Sequence, residues 1–191
     1  FKLVYKLPNS LETISYGYMD RNNNIWLCRK HSILLYNTEN AQILQFTNIL
    51  HSNITAIEQV DDHHFFISTE TGVRYLKLEN GTLKIIPAET LDYFHVQVNE
   101  LYYHQASKRL LIGSFERGLF VYDMNNREII KPEVDLSDVS ITCMAPLDES
   151  QLLISTDEGM GVYKININTC QMEQYIVANY QSYNEMNGNN I

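Results

Sequence analysis

Four stretches of this chain repeat one pattern, and that repetition constrains the fold more than any single motif does. In each, an apolar-alternating segment leads through a polar turn to a second segment that ends in a small residue. A short loop, a third segment ending near a tyrosine, another polar turn and a fourth segment follow. The second segments read Ile25-Trp26-Leu27-Cys28, Phe65-Phe66-Ile67-Ser68, Leu110-Leu111-Ile112-Gly113 and Leu152-Leu153-Ile154-Ser155. Their anchors, Trp26, Phe66, Leu111 and Leu153, are spaced by 40, 45 and 42 residues. Tyr36, Tyr75, Tyr122 and Tyr163 follow those anchors by 10, 9, 11 and 10 residues.

The connections fit antiparallel hairpins. Asp20-Arg21-Asn22-Asn23-Asn24, Asp61-Asp62-His63-His64, Gln105-Ala106-Ser107-Lys108 and Asp148-Glu149-Ser150 separate the first and second segments. Asn37-Thr38-Glu39-Asn40, Glu79-Asn80-Gly81, Met124-Asn125-Asn126-Arg127 and Asn166-Ile167-Asn168-Thr169 separate the third and fourth. Asn, Asp and Gly tolerate the left-handed backbone of tight turns. With 13 tyrosines and 7 phenylalanines, the composition favours strands. A period of this size with four strands, here called a to d, matches a propeller blade. The second segments are apolar on consecutive residues, as strands covered on both faces should be. The small residue ending each suits close approach of neighbouring blades.

The expected fold is therefore all-β: a β-propeller fragment of about four four-stranded antiparallel blades, an open arc rather than a complete ring. The repeats place blade 1 over residues 11–47, blade 2 over 53–87, blade 3 over 96–131 and blade 4 over 139–177. Residues 1–7 read as the d strand of a preceding blade and 178–191 as a linker toward a next one. The chain is thus expected to be an excised piece of a larger propeller, self-associating through its exposed end faces. A β-sandwich is the alternative fold, and the repetition argues against it.

A net charge of −9 repels phosphate backbones, which argues against a nucleic-acid partner. Cys28, Cys143 and Cys170 are odd in number and form no CxxC pair, so neither a disulfide framework nor a zinc site is expected. No stretch approaches the roughly 20 apolar residues that span a bilayer. Gly113 and Gly118 have phosphate-loop spacing, but Leu119-Phe120 stands where such a loop needs Lys-Ser/Thr. His63-His64 sits in a hairpin turn, and the other histidines are scattered over separate repeats, so no metal or other cofactor is expected. The acid pairs Asp61-Asp62, Asp148-Glu149 and Asp157-Glu158 read as solvated turns, and no nucleophile elbow is present.

The repeat resembles the two-component regulator propeller repeat, whose pattern runs from an "LP-(S/N)-N" linker through "I-x-x-I" and "D-x-x-G-x-(L/I)-W-(I/V)-G-T" to "G-(L/V)-x-x-Y". Leu7-Pro8-Asn9-Ser10 and Asp20-Arg21-Asn22-Asn23-Asn24-Ile25-Trp26-Leu27 carry it in the first repeat. Phe66-Ile67-Ser68-Thr69 with Gly72-Val73-Arg74-Tyr75 carry it in the second. Leu111-Ile112-Gly113-Ser114 with Gly118-Leu119-Phe120-Val121-Tyr122 carry it in the third, and Leu153-Ile154-Ser155-Thr156 in the fourth. One repeat keeps the tryptophan, and no a–b hairpin keeps the turn glycine. The resemblance implies the periplasmic sensor region of a hybrid histidine kinase, detecting oligosaccharides to regulate polysaccharide utilisation. It implies further propeller, membrane and kinase parts outside this chain, and a dimeric parent.

In a propeller the b–c and d–a loops share one end, where ligands commonly bind. The residues there able to stack on or hydrogen-bond a sugar are Arg29, His31 and Arg117 of b–c loops, with Tyr93 and His95 of a d–a connection. No catalytic residue is expected. Two other readings are a protein-docking scaffold without a small ligand, and part of a propeller enzyme.

Overall fold

The structure, a computed structural model, describes residues 13–157 and 161–176. The first repeat forms β1 (Tyr16–Met19), β2 (Asn24–Cys28), β3 (Ser32–Asn37) and β4 (Ile43–Thr47). The second forms β5 (Ile54–Gln59), β6 (His64–Thr69), β7 (Gly72–Glu79) and β8 (Thr82–Ile86). A single helical turn, α1 (Glu89–Asp92), lies in the connection that follows. The third forms β9 (Val98–His104), β10 (Arg109–Ser114), β11 (Leu119–Asp123) and β12 (Glu128–Ile130). The fourth forms β13 (Ile141–Pro146), β14 (Gln151–Thr156), β15 (Val162–Asn166) and β16 (Met172–Ile176). Each repeat is a separate antiparallel sheet in sequence order. The sheets meet through their first strands, β1 against β5, β5 against β9 and β9 against β13. These are four blades of an open propeller arc, as the repeat predicts. The sequence-predicted strand over 1–7 and linker over 178–191 lie outside the described residues.

The second strand of each inner blade is covered on both faces, and its side chains divide by parity. Trp26 and Cys28 of β2 pack with Phe65 and Ile67 of β6 between blades 1 and 2. Phe66 of β6 turns the other way and joins Leu110 and Ile112 of β10 between blades 2 and 3. Leu111 of β10 then meets Ile141, Leu152 and Ile154 between blades 3 and 4. Two-residue periodicity on a doubly buried strand thus feeds two cores at once. Gly113 shows how closely the blades approach: a Cβ there would lie 2.7 Å from Cγ2 of Ile141.

One repeat position departs from the sequence alignment. Tyr36 pairs with Ile25, Tyr122 with Leu110 and Tyr163 with Ile154, each one residue away from its blade's anchor across the ladder. Tyr75 pairs with the anchor Phe66 itself. The nine-residue spacing in blade 2 therefore flips Tyr75 to the other face of its sheet. As a result Tyr75 and Tyr122 enter the same interface from opposite sides. Phe66 lies 4.8 Å from Tyr75, 6.0 Å from Tyr103 and 6.3 Å edge-on from Tyr122 by ring centroids, an aromatic cluster joining blades 2 and 3.

The hairpins are closed by side chains. Oδ1 of Asp20 accepts the backbone N–H of Asn22 and Asn24, and Oδ2 accepts the buried Trp26 indole N–H at 3.0 Å. Asp61 and Asp148 accept two backbone N–H groups in the same way. Asn37, Asp123 and Asn166 do so at the c–d hairpins. These are Asx turns. Left-handed backbone falls on Asn23, Asn80 and Gly81, but also on Ala41, Lys108, Arg127 and Cys170, where the sequence shows no glycine or asparagine.

Candidate functional site

The described structure contains a cleft of about 560 Å³ where the a–b hairpins of blades 3 and 4 meet. Tyr102, Tyr103 and His104 from the end of β9, with Gln105 and Ala106 of its turn, form one wall. Asp148, Glu149 and Ser150 of the β13–β14 turn form the facing wall, and Asn168 of the β15–β16 turn closes one side. Nine residues from two blades thus present aromatic faces, carboxylates, amides and a hydroxyl to one space. A volume of this size suits a small ligand.

The walls are held by bridges between blades. The His104 ring spans the cleft, Nε2 lying 2.8 Å from the Glu149 carbonyl and Nδ1 2.7 Å from the Ser107 hydroxyl. A carbonyl only accepts, so Nε2 carries a hydrogen and donates it to Glu149. Arg109 donates from Nη1 to the carbonyls of Ile167 and Asn168 and from Nε to Asp123 at 3.2 Å, fixing the blade 4 hairpin against blade 3. Arg21 of blade 1 donates to the Gln59 carbonyl at 3.0 Å and reaches the Gln105 side chain at 3.4 Å. This end of the arc is therefore a continuous hydrogen-bonded rim from blade 1 to blade 4.

The cleft is acidic. Its lining includes two carboxylates and neither lysine nor arginine. Oδ1 of Asp148 accepts from the backbone N–H of Ser150 and Gln151 and from the Ser150 hydroxyl. Those donors, the Ser150 N–H first, hold its carboxyl below the usual carboxylate range. Burial, with the Glu58 charge adding, pushes the Tyr102 phenol up, so it stays a neutral donor. A second pocket, about 350 Å³, lies between blades 2 and 3 among Phe66, Tyr75, Ile86, Pro87, Tyr122 and Met124, with Ala88 and Arg127 also lining it. Its lining joins apolar side chains to two tyrosines and Arg127, and it holds no carboxylate and no side-chain amide. No group of three or more His, Cys, Asp or Glu is placed to hold a metal ion among the described residues. No helix among them is long and apolar enough to cross a membrane.

No protein-family model matches the chain, and no curated protein matches it in sequence. Solved structures do match. Two crystal structures of the extracellular domain of BT4673 from B. thetaiotaomicron, described in one as a hybrid two-component system and in the other as a one-component system, are 20% identical to this chain. They cover 90% and 85% of it with TM-scores of 0.62 and 0.64. The β-propeller domain of Cps50 (Swd1) from Myceliophteria thermophila is 13% identical, with a TM-score of 0.60 over 80% of this chain and 53% of its own. The fold is a β-propeller. At these identities the likeness speaks for the fold alone. The chain spans 23% and 22% of the two extracellular domains, less than a quarter of their length.

The five sequence-predicted site residues all lie at the other end of the propeller. Arg29 and His31 are in the β2–β3 loop, Arg117 is in the β10–β11 loop, and Tyr93 and His95 follow α1. Arg29 is buried, while His31, Arg117, Tyr93 and His95 are exposed. No hydrogen bond, ion pair or ring contact joins any two of them among the described residues. The cleft residues are not legible in the sequence, where an a–b turn such as Asp148-Glu149-Ser150 has the composition of a solvated connection. One signal was present: Tyr102-Tyr103-His104-Gln105 runs an aromatic pair directly into a polar turn.

Proposed function

We propose that this chain is a ligand-sensing propeller segment of an extracytoplasmic two-component sensor, periplasmic in location, that detects oligosaccharides. The observation carrying the reading is the match of 90% and 85% of the chain to two structures of the extracellular domain of BT4673 from B. thetaiotaomicron, the second described as a hybrid two-component system. The repeat motifs read from the sequence support it independently, since they resemble those of sensor propellers. The mechanism asks little of the chain chemically: it must bind, and bind one conformational state better than another.

Thermal melts of the chain against a panel of oligosaccharides test the proposal. A ligand at about a hundred times its Kd adds about 2.7 kcal/mol. For a chain of this size that raises Tm by roughly 5–10 °C. Such a rise with one saccharide and not with its isomers supports sensing. Silence across the panel would remove the oligosaccharide and favour a protein-docking propeller instead.

A further inference from the structure

We infer that the cleft between blades 3 and 4 is a saccharide seat that selects by charge, taking uncharged oligosaccharides and rejecting uronate and sulfated ones. The inference rests on the sensing proposal and adds where the sugar sits and which sugars qualify.

The cleft combines a platform, orienting groups and a charge filter. Tyr102 is half-buried, packs against the apolar core between blades 3 and 4, and lines the cleft, so its ring is held rigid. A sugar's C–H face stacks on such a ring with little side-chain entropy left to lose. Gln105, Ser150 and Asn168 offer amides and a hydroxyl, and Asp148 and Glu149 offer acceptors, for ring hydroxyls. The turns presenting them are fixed in advance: Asp148 and Asn166 close theirs as Asx turns, and His104 and Arg109 tie the two blades together. The filter is the pair of carboxylates with no lysine or arginine in the lining. A uronate there would meet the like charge of Asp148 and Glu149, while the nearby cations Arg21, Arg109 and Lys164 are engaged by the Gln59 carbonyl, Asp123 and Glu173. The pocket between blades 2 and 3 lacks this set of convergent polar groups.

The test is calorimetric titration of the chain with maltotetraose, xylotetraose, mannotetraose and cellotetraose, and with tetragalacturonate as the anionic counterpart. Tyrosine ultraviolet difference spectra read the stacking directly. The expected result is that at least one neutral tetrasaccharide binds and perturbs the tyrosine spectrum. Tyr102→Ala should then weaken it about tenfold. Gln105→Ala and Asn168→Ala should each weaken it about threefold to tenfold. These two turn positions leave the core intact should Tyr102→Ala fold poorly. Tetragalacturonate should bind at least about tenfold more weakly, and the double variant Asp148→Asn with Glu149→Gln should narrow that gap. Neutral binding unchanged in all three alanine variants would overturn the seat while leaving the sensing proposal standing. Tetragalacturonate binding as tightly as the neutral sugars would overturn the charge selection. Failure of every saccharide to bind would overturn the sensing proposal together with the seat.

Discussion

Glu58 is the residue whose environment conflicts most with its chemistry. It lies on β5, half-buried, in a wall shared with β1 and β9. Burial pushes its carboxyl up to about 7, opposed by the Tyr103 N–H, reinforced by Glu100 and relieved in part by Arg21. Between the unfolded value of 4.5 and about 7 the folded chain holds a proton that the unfolded chain releases. Stability from this group is therefore complete below pH 4.5 and is lost as pH rises through about 7. Glu100, raised by burial, acts in the same sense. Glu58→Gln keeps an acceptor for the Tyr103 N–H and removes the charge. Urea titrations should find it more stable than the parent by about 2 kcal/mol at pH 8, after allowance for partial solvent screening, and unchanged near pH 4.5. An equal effect at both pH values would mean that the charge is not the cause. Lys108 makes a different local argument. It holds φ at +54° in the β9–β10 turn, in the slot where the repeat pattern has glycine. Lys108→Gly should raise the urea midpoint by an amount equivalent to roughly 0.5–1 kcal/mol, and a lower midpoint would contradict the strain.

At the scale of the strand and loop, three glycines share one task. Gly72, Gly118 and Gly161 end the b–c loops with φ of +135°, +73° and +96°. In each, a hydroxyl at the end of the second strand bonds back to the glycine carbonyl: Thr69 to Gly72, Ser114 to Gly118 and Thr156 to Gly161. The d–a connection crosses directly over the loop, so a Cβ would lie 2.2 Å from the Phe94 carbonyl oxygen at Gly72 and 2.4 Å from that of Leu136 at Gly118. Gly118→Ala meets both a forbidden backbone and fixed main chain. It should cost about 3 kcal/mol or more, read as a fall in urea midpoint, and near-parent stability would show that the connection yields. Gly72 and Gly118 were legible in the sequence as motif positions, though Gly161 and the crossing carbonyls were not. Bulges were less legible. Thr55, Asn99 and Thr142 are the extra residues where the first strand shifts register. They bond to Ser68, the Ile141 carbonyl and Ser155, respectively. In sequence they are only the polar residue after an apolar one. The same limit hid Tyr75, whose one-residue shift reverses its face without disturbing any visible motif.

For the whole molecule, the repeat made the strand order and blade count readable, because each blade is a local unit that the chain completes before starting the next. What the repeat could not place was the cleft, which is made by the turns of two neighbouring blades and exists only once the blades are stacked. The same architecture makes stability a sum of blades and nearest-neighbour interfaces rather than of one core. Protection should then vary across the arc. The central strands β6 and β10 are buried along almost their whole length, while β12 and β16 are short or exposed outer strands. Hydrogen exchange should be slowest in β6 and β10 and fastest in β12 and β16. Phe66 gives the sharper version of this prediction, since its ring belongs to the cluster with Tyr75, Tyr103 and Tyr122 between blades 2 and 3. Phe66→Ala should cost about 3–5 kcal/mol at that interface. If coupling passes only between neighbours, the variant should lose protection in β6, β7, β10 and β11 and keep most of it in β14 and β15. Equal loss in blade 4 would show that the arc opens as one cooperative unit, and a ligand held between blades 3 and 4 would then be felt as far away as blade 1.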